Sequence, residues 1–260
     1  MTIPRWSAYS AQRPTCTPLP TKHATAPNDK PMSMRKYRTS WQADDGQIME
    51  AEQLGPAHPL FESAFSAFAR GTLINTTRGP VAIEDLTPGN RVVTAEHGPM
   101  PVRWVGSMTL AMPHNSIDQE PTTLTRIMAD AFGIGRPMAD LLAGPGARIL
   151  TRPRNMRGNP DTDQVLTPAR SLSDGIQAIT ITPQHPVTVF HLCLRRHSTI
   201  TANGLEVESF HPGIDFERPL GPTMLALFMA MFPHIHEPHQ FGPMAHMRLP
   251  LTAPEGLEIA

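Results

Sequence analysis

Few residues of this chain have the type and spacing for covalent chemistry. The hydroxyls of Ser66 and Thr72 open its strand-rich region, Thr182-Pro183-Gln184-His185 reads Thr-x-x-His, and His197 follows. A hydroxyl is a weak nucleophile until a neighbouring base takes its proton, and histidine is the usual base. The segment holding His185 reads as a turn with a surface histidine. Cys16 and Cys193 are the two thiols; there is no C-x-x-C, and nothing fixes a disulfide between them. Cys193 lies in the apolar run Val187–Leu194, where a small buried hydrophobe is the expected role. His234, His236, Glu237, His239 and His246 have spacings that can bind zinc or nickel. Their segment is broken by prolines, so His234, His236 and His239 stay weak metal candidates in an expected solvated tail. No metal or cofactor is expected. Arg148, Arg152, Arg154 and Arg157 form a basic cluster without interleaved aromatics, which reads as a solvated loop.

The elements that would position these residues read as β-structure. Of 260 residues 29 are proline, about twice average usage, which argues against a helix bundle. Lys+Arg is 22 against Asp+Glu 23, so there is no basic field to hold nucleic acid or an anionic membrane. No apolar run is long enough to span a bilayer, and the N-terminus lacks the apolar core of a signal peptide. A cytoplasmic location is the default, with secretion by a route lacking a cleaved signal left open. Residues 1 to about 60 are rich in Pro, Thr, Ser, Lys and Gln and are expected to lack order. From Phe65 on, β-branched alternating runs at 72–76, 81–86, 91–95 and 102–110 are punctuated by Gly/Pro turns. Further strands are expected at 122–129, 148–152, 164–168, 176–182, Val187–Leu194 and 198–202, with a short turn of helix within 134–142. Asn203-Gly204 is a two-residue hairpin signal. Residues 223–232 (TMLALFMAMF) read as one short helix closed by Pro233.

The order of motifs then becomes specific. Phe68-x-x-Gly71-Thr72-x-Ile74 is followed by Gly79-x-Val81-x-Ile83-Glu84-Asp85-Leu86-x-Pro88-Gly89-x-x-Val92-Val93-Thr94. Pro101-Val102-Arg103-Trp104-Val105-Gly106, Arg126-Ile127, Pro168-Ala169-Arg170, His197, Ala202-x-Gly204 and Glu208-Ser209-Phe210 come next in order. This series resembles Hint (hedgehog/intein) domains of the type common in alphaproteobacteria, over about 150 residues from Phe65 to Ile214. The resemblance implies an all-β, pseudo-symmetric horseshoe with a short C-terminal helix and a disordered N-terminal tail. It divides the chain into a tail over 1–63, a Hint-like domain over 64–216, and a helix with a Pro/His/Met-rich tail over 217–260.

The resemblance also implies a chemistry of self-processing. In the family a leading Cys attacks the carbonyl of the peptide bond before it, a block His protonates the departing amide nitrogen, and a late acidic residue or His activates the nucleophile. Here the leading Cys falls on Ala67, the block His on Ala147, and the Asp of a late Asp-Arg-His triplet on Arg195, beside retained Arg196 and His197. Thr72 and His197 are the remnants. A methyl group is neither nucleophile nor proton donor, and Arg does not act as a base near pH 7. The expectation is a Hint domain of the autoprocessing lineage without cleavage activity, keeping a structural or binding role, with an unknown protein partner left open. The alternative is residual self-cleavage through Ser66 or Thr72 with His185 or His197.

Overall fold

A computed structural model describes residues 33–110, 122–153 and 164–250, all within one compact unit. Among the described residues sixteen strands and two α-helices follow one another. The first strands are β1 (Met34–Gln42) and β2 (Ile48–Pro56), then helix α1 (Pro59–Phe65), β3 (Phe68–Ala69), β4 (Leu73–Thr76), β5 (Gly79–Ala82), β6 (Arg91–Thr94) and β7 (Gly98–Leu110). There follow β8 (Leu124–Ile127), β9 (Leu141–Ala143), β10 (Arg148–Thr151), β11 (Val165–Pro168), β12 (Ala178–Ile181), β13 (Val187–Leu194), β14 (Thr199–Ala202) and β15 (Leu205–Glu208). Helix α2 (Pro222–Ala230) and β16 (Met247–Arg248) complete the described elements. The expected all-β class with a C-terminal helix is what folds.

The strands join into one open sheet through the thirteen-residue β7, which pairs with β13, β6 and β1. Tight turns set these registers. Asn203 and Gly204 both take positive φ, 47° and 89°, so the hairpin between β14 and β15 closes in two residues. One apolar cluster fills the cradle of β3, β4, β6, β9, β14 and β15 around Phe68, Ile74, Val92 and Ile200. A second is aromatic and gathers Tyr37, Phe61, Phe65, Trp104, Phe210, Phe228 and Phe232.

Three expectations are corrected. The segment up to residue 63 is not without order throughout, because residues 34–56 form a hairpin that extends the main sheet. Tyr37, Thr39 and Trp41 alternate toward the core, and β1 pairs with β7 from Tyr37↔Met108 to Trp41↔Trp104. Polar residues on the outer face of β1 lower its mean hydropathy, while burial of Tyr37 and Thr39, with Trp41 packed beside them, fixes its inner face. Residues 217–250 are likewise not a solvated tail. Phe232, Ile235 and Phe241 are buried anchors after α2, and β16 pairs in parallel with β11. Residues 134–142 hold turns and the start of β9 rather than helix, closed by positive φ at Gly133 and Gly135. Residues 1–32 with Cys16, and residues 111–121, 154–163 and 251–260, lie outside the described residues.

Candidate functional site

Helix α1 delivers the chain to position 67. Its N-cap His58 accepts a hydrogen bond from the Leu60 amide through Nδ1, Pro59 occupies its first turn, and Phe61, Ala64 and Phe65 bury one face at helical spacing. Ser66 ends the helix, and β3 then runs between β9 and β13. The peptide between Ser66 and Ala67 is held on all sides by backbone. The Gly146 amide donates to the Ser66 carbonyl at 3.0 Å, and the Ala67 amide donates to the Phe190 carbonyl at 3.0 Å. The Gly144 amide donates to the Ala67 carbonyl at 2.7 Å.

The turn at 144–147 must be glycine-rich to come this close. A Cβ at Gly144 would stand 2.1 Å from the Ser66 carbonyl oxygen, and one at Gly146 would stand 2.3 Å from that of Ser63. Two of the positions singled out in the sequence, Ala67 and Ala147, therefore meet through this turn, and both methyl groups are buried in the first apolar cluster. Arg195 does not join them, because it is exposed beyond the end of β13.

His197 is buried but engaged elsewhere. Its Nε2 lies 2.9 Å from Glu208 Oε1, and its Nδ1 accepts from the Ala245 amide at 2.8 Å. Both ring nitrogens are spent there, so neither is left to act as a base for position 67. The Thr72 hydroxyl donates to the Ala69 carbonyl at 2.8 Å and shapes the turn at Gly71, whose φ is 88°. His185 is exposed on the turn before β13. Ser66 Oγ is fully buried and has no hydrogen-bond partner among the described residues.

The metal candidates also separate. His239 Nδ1 lies 3.1 Å from Glu237 Oε2 on the surface, His236 is exposed, and the ring nitrogens of His234 are buried without partners among the described residues. No three His, Cys, Asp or Glu side chains among the described residues converge as a metal site would require. Cys193 is buried in β13 within the aromatic cluster, and burial pushes its thiol up to about 12, which keeps it un-ionised and inert.

Two sets of residues were missed in the sequence. His191 lies on β13 one residue beyond Phe190, the partner of Phe68, and its ring meets that of Phe68 edge-on at 5.9 Å. Burial depresses it to about 3, so it stays neutral and is a poor proton acceptor. The second set is a buried charge cluster. Glu208 Oε1 accepts from Arg248 Nε at 2.7 Å, and its Oε2 lies 3.7 Å from Arg148 Nε. Burial alone would raise Glu208, but Arg248 and His197 hold it down at about 2. Arg148 is lowered to about 10 by burial and by Arg248. The expected solvated role of this arginine is thus corrected, since a fully buried carboxylate draws it into the fold; Arg154 and Arg157 lie outside the described residues.

The fold is a β-cradle that clamps the peptide at its entry, with strands paired across a long central β7. Residues 66–214 match the family model described as the Hint domain, and the chain belongs to that family. Among solved structures it is similar to a bacterial intein-like domain from Clostridium thermocellum, at 17% identity and a TM-score of 0.37 over 56% of this chain and 99% of that one. It is also similar to a DnaB intein from Synechocystis, at 15% identity and a TM-score of 0.35 over the same shares. No match was found among curated proteins. Among the described residues no helix is long and apolar enough to cross a membrane.

Proposed function

We propose that this Hint domain does not cleave the peptide bond it clamps and serves instead as a folded structural or protein-binding module. The observation that carries this reading is the state of the Ser66–Ala67 peptide. Its carbonyl oxygen and amide are still gripped by Gly146 and Phe190, yet the side chains at the nucleophile and proton-donor positions are the methyls of Ala67 and Ala147. Amide nitrogen leaves only when protonated, and the methyl of Ala147 at the proton-donor position cannot protonate it. The chain before the bond also fits a non-cleaving role. Tyr37, Phe61 and Phe65 belong to the same aromatic cluster as Trp104 and Phe232, so a product released there would strip part of the core.

One observation favours the second reading, residual self-cleavage. The Ser66 hydroxyl is buried and unpartnered among the described residues, and it could attack the carbonyl of Phe65 in an N-to-O shift. Intact-mass measurement of the purified full chain, incubated with and without a thiol and with hydroxylamine, separates the two. An undiminished full-length mass is expected. A fragment beginning at Ser66 or Ala67 would overturn the non-cleaving reading.

A further inference from the structure

Strand β2 forms a free edge of the sheet. Among the described residues it pairs only with β1, along all nine of its residues. The Ala57 amide donates to the Ser33 carbonyl and the Ala43 amide to the Gln47 carbonyl, which fixes the phase of the ladder at both ends. Antiparallel pairing alternates, so Met49, Ala51 and Gln53 turn their peptide groups toward β1. Those of Ile48, Glu50, Glu52 and Leu54 therefore point away from the sheet. The side chains of these four share the outer face with Lys36 and Arg38, and all four residues are exposed.

We propose that β2 is a docking edge that takes an extended segment of another protein as a further antiparallel strand, with Lys or Arg opposite Glu50 and apolar side chains opposite Ile48 and Leu54. This specifies the binding role given above and rests on that reading. The outward peptide groups supply the hydrogen bonds, and the side chains between them select the partner. Ile48 and Leu54 are 50% and 66% exposed, an apolar grip toward each end of the strand. Glu52 is already neutralised by Lys36 at 2.7 Å and Arg38 at 3.3 Å. Glu50 has no ionic partner among the described residues, so it is the charge left for an incoming cation.

A second copy of this chain fits the edge poorly. The register that overlaps all nine residues of two β2 strands sets Glu52 against Glu52 and puts Pro56, which has no N–H, opposite Ile48. The shift that frees Pro56 sets Glu50 against Glu52. Like charges directly opposite oppose pairing, so the edge discriminates against itself while staying open to a basic strand.

Amide hydrogen exchange of the full chain, read residue by residue by NMR, tests this. The probe is the peptide Thr-Val-Thr-Thr-Thr-Lys-Thr-Val-Thr, which sets Lys opposite Glu50 and Val opposite Ile48 and Leu54. With peptide at about 1 mM, enough to half-fill a site whose Kd is about 1 mM, the amides of Ile48, Glu50, Glu52 and Leu54 should exchange at least about twofold more slowly. Those of Met49, Ala51 and Gln53, already bonded to β1, should change less. The same peptide with Glu in place of Lys should bind about fivefold more weakly, and Glu50→Lys should reverse that preference. Leu54→Pro removes an outward donor without touching the β1 ladder and should weaken binding about fivefold. Protection of the outward amides before peptide is added overturns the proposal, because the edge is then already covered. Protection that never appears, or that falls equally on Met49, Ala51 and Gln53, overturns it too, as does an unchanged preference in Glu50→Lys. Should a variant fail to fold, the wild-type exchange pattern decides. The intact mass of each sample shows whether the chain has cleaved, so a failure to dock stands apart from a failure of the non-cleaving reading.

Discussion

Glu208 is the residue on which most of the buried polar structure converges. Its side chain is 2% exposed and meets His197, Arg248 and Arg148. Taking one partner from a buried ion network leaves the others charged and unpaired, at a cost of about 3–5 kcal/mol. Glu208→Gln keeps the shape and removes the charge, so it should cost about that much at pH 7. For a chain of this size each kcal/mol lowers Tm by about 2–4 °C, and a thermal melt followed by circular dichroism would register the loss. A melt within 2 °C of wild type would mean that solvent already neutralises the two guanidiniums. The sequence did not point to this carboxylate as a charge centre, although Glu208-Ser209-Phe210 was visible as a motif. Its partners stand 11, 40 and 60 residues away along the chain, and no local spacing announces a cluster of that kind. The register of position 67 is set in the sequence by Phe68, Gly71 and Thr72, whereas the glycines around Ala147 carry no side chains to fix a register there.

At the scale of elements, the hairpin of β1 and β2 contributes to the core rather than decorating it. Tyr37 is fully buried, its ring centroid lies 4.6 Å from that of Phe65 with the planes tilted, and its hydroxyl donates to the Pro56 carbonyl at 2.8 Å. Truncating an aromatic in such a place costs about 3–5 kcal/mol. Tyr37→Ala should therefore lower the urea midpoint as strongly as a change in the central sheet, whereas Lys36→Ala on the outer face should leave it near wild type. An unshifted midpoint for Tyr37→Ala would show that the hairpin is dispensable. The strands from β3 to β15 were readable because β-branched runs alternate with Gly and Pro turns. This hairpin was not, because a charged outer face and Pro-rich surroundings mask three inward residues. The segment after Pro233 was hidden for a related reason. Its order comes from single anchors such as Phe241, whose ring meets Phe210, Phe216 and Phe232 edge-on, and widely spaced anchors leave no period.

For the whole molecule the buried histidines set the acid limit. Burial lowers His191 to about 3 and both His211 and His234 to about 4. An unfolded chain takes up these protons near pH 6.5, whereas the folded chain does so only near 3–4, so stability falls as pH drops through that window. The carboxylates act lower down. Glu208, Glu96, Asp140 and Asp174 are all held below their ordinary values, so their contribution is present above about pH 4.5 and is lost as pH falls further. Between pH 6.5 and 4.5 the decline belongs to histidine alone. Three such groups remove at most about 6 kcal/mol by pH 5, a large share of the stability of an ordinary domain. His234 separates this account from a general acid effect. Its ring nitrogens have no partners among the described residues, and the ring packs near Phe232. His234→Phe removes buried unsatisfied groups, which should stabilise the protein by about 1–3 kcal/mol at pH 7.5. The gain should grow at pH 5, because the variant no longer loses a proton-linked contribution at that position. Urea melts of wild type and variant at the two pH values measure the difference, and a gain that is equal or smaller at pH 5 would remove His234 from the account.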